Sequence, residues 1–274
     1  MKLLTLNTHS WMEENPEQKL QQLAEKIGEE QYEIIALQEV NQLLDSNVAP
    51  VDAFFHPVED QWPIHEDNFA YRLVELLKEN GHRYHWSWSE SHLGYDRFAE
   101  GAAILSKTAI SPESLLVSTA NDFHDYHTRR ILAGKTLIQD QEVLVLSCHY
   151  SWWEAGFPYE WQQTVEYLNG KNLPLLLMGD FNNAADRNDE GYDHLLASAP
   201  YLNDAYTVAD KRNGNYTVEK SIDGWEGNAD QLRIDYVFLT SHFQVATYQV
   251  TFDGIDAPVV SDHYGVEVEL TVEK

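Results

Sequence analysis

The chain has 274 residues, of which 43% are hydrophobic and 12% aromatic, enough for one large folded domain and too apolar for a disordered chain. Its 45 acidic residues outnumber 18 Lys and Arg, a net charge of −27; no run of clustered cations is present of the kind that displaces counterions from nucleic acids. The single cysteine, Cys148, excludes an internal disulfide framework and a cysteine-rich zinc site.

The opening MKLLTLNTHSW carries one Lys and an apolar run too short for a signal peptide. No apolar stretch approaches a membrane span. These features predict a soluble, cytoplasmic protein without membrane insertion, and no protein partner is indicated.

LLTLN at 3–7 reads as a buried strand. Asn15 reads as an N-cap, with Pro16 at the first helical position and Gln18 completing a capping box. Leu20, Leu23, Ala24 and Ile27 follow at helical spacing, and Gly28 is the expected stop. EIIALQE at 33–39 is the next strand, and 41–66 a long polar and aromatic loop. Asp67 is placed to cap a second helix carrying Phe69, Leu73, Leu76 and Leu77, closed by Asn80-Gly81. Strand-like runs follow at 83–88, 101–106, 131–138, 142–149, 174–179, 233–240, 244–251 and 263–272. Between them a helix is expected near 158–169, with Pro158 at its start and Gly170 after its end, and another over about 189–198. No linker, repeat or low-complexity segment interrupts the pattern, so a single α/β domain over 1–274 is expected.

Polar residues recur at the ends of the apolar runs: Asn7 after LLTL, Glu39 after IIALQ, His149 after VLVLSC, and Asp180 and Asn182 after LPLLLMG. Asp235 sits near the start of RIDYVFL, and Asp262-His263 precedes YGVEVEL. Buried strands hold their ends rigidly, so such groups form a preorganised site at a sheet edge. Carboxylate and amide oxygens suit a hard cation such as Mg2+, and histidines move protons or stabilise charge.

Taken together, LTLNTHSW, LQEV, EGAAILS, SCHY, GDFNN, RIDYVFL and SDHYGVEVEL resemble the endonuclease/exonuclease/phosphatase superfamily, the deoxyribonuclease-I-like phosphoesterases, in order and over residues 3–270. The resemblance implies a four-layer α/β/β/α sandwich, two mixed β-sheets packed face to face with helices outside. It also implies phosphoester hydrolysis by in-line attack of water, with Mg2+ or Mn2+. By the same resemblance Glu39 is the principal metal carboxylate, with Asn7 and Asp262 beside it. Asp180 orients or deprotonates the attacking water, and Asn182 holds the phosphate or a metal water. His263 contacts the scissile phosphate with Asp235 as its orienting carboxylate. His149 is the second phosphate-binding histidine, and Glu100 matches the position of its acidic partner.

Further residues are candidates for holding the substrate. Arg129 and Arg130 face opposite sides if they lie on a strand, so at most one reaches the site, where it would grip a phosphate oxygen. His92 and Tyr95 precede the Glu100 motif and are candidates for the leaving group. In SCHYSWW, an aromatic follows the motif His where the family usually has an apolar residue; Tyr150, Trp152 and Trp153 are candidates for an aromatic wall, Trp152 foremost, with packing under a loop as the alternative. YHWSWS at 84–89 reads as core packing. Residues 186–197 begin like an EF-hand loop, but Ala197 stands where a bidentate Glu is needed. His82, His85, His92, His124 and His127 fit no zinc pattern. The expected substrate is a small or lipid-derived phosphodiester or phosphomonoester rather than a nucleic acid. A DNA or RNA nuclease is the alternative, and a catalytically dead binding module is disfavoured because every motif position is filled.

Overall fold

Alternate residues along the apolar runs enter different cores, so those runs carry no hydrophilic face. The computed structural model describes residues 1–272. In chain order the strands are β1 (Lys2–Asn7), β2 (Ile34–Leu43), β3 (His85–Gly94), β4 (Phe98–Ser106), β5 (Ser111–Leu116), β6 (Arg130–Ile138), β7 (Gln141–His149), β8 (Leu175–Asp180), β9 (Leu202–Asp204), β10 (Lys211–Asn213), β11 (Asp235–Thr240), β12 (Phe243–Thr251) and β13 (Gly265–Val272). The helices are α1 (Pro16–Glu30), α2 (Phe69–Glu79), α3 (Phe157–Leu168), α4 (Gly191–Ser198) and the single turn α5 (Ala205–Val208).

The strands form two mixed sheets, in the orders β10-β12-β13-β1-β2-β4-β3 and β5-β6-β7-β8-β11-β9. Leu3, Ile34 and Ala36 of the first sheet meet Val143, Val145, Leu176, Met178 and Val237 of the second in a central core. Leu4, Leu6, Ile35 and Leu37 point the other way, onto Leu20, Leu23 and Ile27 of α1 and Leu73 and Leu77 of α2. On the far side Leu144, Leu146, Leu175, Leu177 and Phe238 pack with Phe157 and Trp161 of α3 and Leu195 of α4. The result is the expected four-layer α/β/β/α sandwich. No helix among the described residues is long and apolar enough to cross a membrane.

Several local expectations are corrected. Asn68, not Asp67, caps α2: its Oδ1 accepts from Tyr71 N at 3.0 Å. Asp67 Oδ2 instead accepts from Leu43 N at 2.7 Å, clamping the end of β2. Pro16 does begin α1, but Asn15 makes no side-chain cap, and the helix runs past Gly28 to close on Gln31. Three short strands, β5, β9 and β10, lie where no apolar alternation marks them, as edge pieces held by pairing with a neighbour. YHWSWS packs as expected: Tyr84, Trp86 and Trp88 are buried in the core under α1 and α2.

Register places the polar strand ends. β7 and β8 pair in parallel with His149 opposite Asp180, and β8 pairs antiparallel with β11 so that Asp180 faces Asp235. In the other sheet Asn7 pairs with Gln38, one residue before Glu39. There β2 is bulged against β4, between Leu37 and Val40, where Gln38 and Glu39 together stand opposite Ala102, and the one extra residue turns Glu39 out of the alternation. A second bulge, between Glu90 and His92 on β3, does the same for the strand that delivers His92.

Candidate active site

The two sheets meet in one polar cluster. In the second sheet the register sets His149, Asp180 and Asp235 side by side on three adjacent strands. His263, from the loop before β13, places Nδ1 2.9 Å from Asp235 Oδ2. Asp180 Oδ1 accepts the backbone N–H of Asn182 at 2.8 Å. Its other oxygen lies 3.8 Å from His149 Nε2 and 3.8 Å from His263 Nε2. Those gaps are longer than a hydrogen bond, so this oxygen and both ring nitrogens converge on one space without consuming one another.

Asn7 joins the sheets. Its Nδ2 donates to Glu39 Oε1 at 2.8 Å and to Asp180 Oδ2 at 3.1 Å. Glu39 has φ 50°, a left-handed conformation a non-glycine residue adopts at a cost of about 1–3 kcal/mol. Asn182 shares it, at φ 50°; its Nδ2 donates to the Tyr150 carbonyl at 3.0 Å and its Oδ1 accepts from Trp225 Nε1 at 2.9 Å. Gly179, just before Asp180, has φ 147°, and a Cβ there would lie 2.0 Å from the Cys148 carbonyl oxygen. The glycine of the GDFNN motif is therefore what lets β8 approach β7 closely enough to align Asp180 with His149.

Electrostatics separate the two histidines. Burial opposes charge on His263, but Asp235 and Asp180 overcome it and raise its pKa well above the usual value. His149 is pushed far down by burial first and then by the positive charges of Arg129 and His263. One imidazole is thus held protonated and the other neutral, an arrangement that assigns different tasks to the same side chain. Asp180 is raised by burial and by Asp235, and Glu39 by burial and by Asp262. Glu100 is pushed up to about 8 by burial and by Glu39.

Of the residues weighed for the substrate, His92, Tyr95, Arg129 and Trp152 line a cavity of about 170 Å³ together with Glu39, Glu100, His149, Asp180, Asn182 and His263. Arg129 is buried, and its Nε donates to Ser151 Oγ at 3.2 Å, which Glu160 holds in turn at 2.7 Å. Arg130 points elsewhere: Nη2 donates to Asn121 Oδ1 at 3.1 Å, in a separate cleft with Glu90. Glu100 contacts His92 Nε2 at 3.4 Å, whereas the carboxylates near His149 are Asp180 and Glu39, the latter at 4.0 Å. The pairing expected between Glu100 and His149 is therefore replaced by one with His92, because β3 and β4 carry these two residues as register partners. Tyr150 is no wall of the site; it is fully buried against Phe157, Trp161 and Phe181. Residues 186–190 are a loop leading into α4. Among the described residues His82, His85, His92, His124 and His127 join no group of three metal-capable side chains.

Residues outside the expected set complete the mouth of the site. His9 Nδ1 lies 2.7 Å from Glu13 and 3.6 Å from Asp262, and its Nε2 3.6 Å from Asp223. Asp223 Oδ2 also accepts from the Tyr95 hydroxyl at 2.7 Å. The signal for His9 was present, since it lies two residues after Asn7 in the same motif. Asp223 and Trp225 sit in a loop with no periodicity, and only the folded chain brings them to the site.

The sequence profile of the Endonuclease/Exonuclease/phosphatase family matches residues 11–263. The chain belongs to this family. An endonuclease/exonuclease/phosphatase family protein from Leptotrichia buccalis is 33% identical, with 99% of each chain covered and a TM-score of 0.86. A conserved protein of Enterococcus faecalis shares the fold at 20% identity, covering 100% of each chain, with a TM-score of 0.68. The mannosyl-6-phosphatase Bt3783 of Bacteroides thetaiotaomicron does so at 20% identity, covering 99% of each chain, with a TM-score of 0.65. No protein with a curated function matches. The endonuclease/exonuclease/phosphatase family is one of phosphoester hydrolases, and the chain is an enzyme of that class.

Proposed function

We propose that this family member is a Mg2+- or Mn2+-dependent hydrolase of a small phosphodiester or phosphomonoester, including lipid-derived esters, and not a nuclease. The observation that carries the reading is the convergence of Asp180 Oδ2, His149 Nε2 and His263 Nε2 on one space, at 3.8 Å from the carboxylate to either imidazole. A phosphoryl group in that space meets a charged donor in His263 and a neutral donor or acceptor in His149. The buried guanidinium of Arg129 faces it as a second cation. Asp180 has one oxygen tied to Asn182 and one directed at the same space, so it orients the attacking water and takes its proton as the new phosphorus–oxygen bond forms and the ester bond opposite breaks, the leaving oxygen taking up a proton from solvent. Asp235 holds the His263 ring in one orientation and stabilises its charge while negative charge builds on the phosphoryl oxygens.

Glu39, Asn7 and Asp262 are the proposed metal shell. Glu39 and Asp262 offer carboxylate oxygens, and Asn7 its amide oxygen, the hard donors that Mg2+ and Mn2+ prefer, and Glu39 is raised in part by Asp262, a like-charge crowding that a cation relieves. When bound, the ion supplies Lewis-acid polarisation of a phosphoryl oxygen. A net charge of −27 without a basic stripe disfavours a polyanionic substrate. The single thiol, Cys148, is buried and unpaired, in keeping with the cytoplasmic placement we propose.

The test is hydrolysis of phenyl phosphate and of a chromogenic bis-phosphodiester with Mn2+ or Mg2+, compared with DNA and RNA at low salt. Turnover of a small ester, lost by roughly 10²–10³ in Asp180→Ala and His263→Ala, is expected. Efficient cleavage of nucleic acid with no turnover of small esters would refute the reading. Glu39→Gln is expected to shift the metal titration to higher concentration with the fold intact; full activity with the same titration would remove Glu39 from the metal shell.

A further inference from the structure

The reaction cavity of about 170 Å³ is walled mainly by polar and charged side chains. A second groove, of about 610 Å³, adjoins it and shares Trp152, Asn182 and Gly224 with it. Three loops build this groove. The loop after β7 brings Trp152, Trp153 and Glu154, the loop after β8 brings Arg187 and Glu190, and the loop before β11 brings Trp225. The last loop is fastened to the reaction centre, since Trp225 Nε1 donates to Asn182 Oδ1 at 2.9 Å. Gly224 sits so close to Trp152 that a Cβ there would lie 2.1 Å from the indole.

The chemistry of the lining selects among occupants. Arg187 stacks on Trp225, 4.8 Å from guanidinium carbon to ring centroid. Among the described residues its guanidinium makes no ion pair or hydrogen bond, and neither do the carboxylates of Glu154, Glu190 and Asp230, while Glu226 Oε1 accepts from Gly224 N at 3.3 Å. The groove thus holds indole surfaces interleaved with one uncommitted donor fork and three uncommitted carboxylates. A polyanionic chain would meet more negative than positive charge there. An acyl chain would strand the charged groups against hydrocarbon. A sugar ring suits both components, with hydroxyls that donate to carboxylates and accept from a guanidinium, and C–H faces that lie on aromatic rings.

We infer that this groove is a glycosyl subsite, and that the substrate is a phosphorylated sugar whose ring or rings lie against Trp152, Trp153 and Trp225 while the phosphate occupies the reaction cavity. This rests on the hydrolase reading above and names its substrate class.

The test compares kcat/KM of the Mn2+-loaded enzyme on the 6-phosphates of glucose, galactose, mannose and their disaccharides with that on phenyl phosphate, dioctanoyl phosphatidic acid and a 5′-phosphorylated oligonucleotide. At least one sugar phosphate is expected to exceed phenyl phosphate by about tenfold or more. In Arg187→Ala and Glu190→Gln the ratio of sugar phosphate to phenyl phosphate is expected to fall by roughly tenfold. The inference is overturned if every sugar phosphate is turned over no better than phenyl phosphate, if the lipid or the oligonucleotide is best, or if the variants lower all substrates alike. Absence of turnover on the whole set would sink the hydrolase reading instead. The subsite is then decided by tryptophan fluorescence with the unphosphorylated disaccharides: saturable quenching weakened in Arg187→Ala supports it, and no quenching refutes it.

Discussion

At the scale of the residue, the site is defined by environments more than by residue types. His149 and His263 are the same side chain facing the same Asp180 oxygen, yet neighbours drive their titration in opposite directions. Asp235 makes the difference through its 2.9 Å contact with the His263 ring. Asp235→Asn removes that charge while preserving shape. It is expected to lower kcat by roughly 10²–10³ with little change in KM, because the charge on His263 is needed most as negative charge develops. Steady-state kinetics on a small phosphoester, with circular dichroism to confirm the fold, measures this, and an unchanged kcat would show that Asp235 does not tune His263. Arg129 offers a second probe. Arg129→Lys keeps the charge but loses the fork anchored by Ser151, so KM is expected to rise several-fold more than kcat falls.

At the scale of the element, the active geometry depends on irregularities in otherwise regular strands. The β2 bulge turns Glu39 toward the site, and Gly179 allows β8 to lie against β7. Gly179→Ala would force a Cβ against the Cys148 carbonyl at a φ that L side chains rarely adopt. It is expected to cost on the order of 3 kcal/mol or more in urea unfolding, or to prevent soluble expression. The α2 cap is a milder case. Asn68→Ala removes the bond to Tyr71 N and a buried bond to Gln42 Oε1, and is expected to lower stability by about 1–3 kcal/mol while leaving hydrolysis unaffected. A loss of activity in that variant would mean that α2 positions the site as well as covering the core.

At the scale of the whole molecule, the acidic excess sets how the protein behaves with pH. Glu30 is held below the ordinary 4.5, chiefly by its hydrogen bond from Lys2 and also by Lys26. Since its folded pKa is depressed, its contribution to stability is complete above the ordinary value and is lost as pH falls through the folded one. The difference in Tm between the native chain and Glu30→Gln is therefore expected to be constant from about pH 7 to 5.5 and to shrink below about pH 4.5. A difference that grew on acidification would contradict the assignment of the ion pair.

How much was legible in the sequence differs by level for physical reasons. The strands with both faces buried are continuous apolar runs that need no partner to be recognised, so β1, β2, β7, β8, β11 and α1 to α4 were found with boundaries displaced by a few residues. β5, β9 and β10 were missed because pairing with neighbours, not their own alternation, makes them strands. The polar residues at strand ends could be named because a motif keeps them adjacent to a recognisable run. Which of them touch could not, since register and bulges decide it: Glu100 goes to His92, Arg129 turns inward and Arg130 outward. Asp223, Trp225 and Arg187 reach the site from loops whose sequence has no period, and only closure of the two sheets brings them there. The sequence by itself determined the order of strands and helices and the polar residues at their ends, which depend on residue type and spacing along the chain, and its motifs carried the layered architecture and the class of chemistry through their resemblance to a known family. The tertiary structure alone decided the pairings, the titration of each histidine and the groove beside the phosphate, because those depend on distances between segments far apart in sequence.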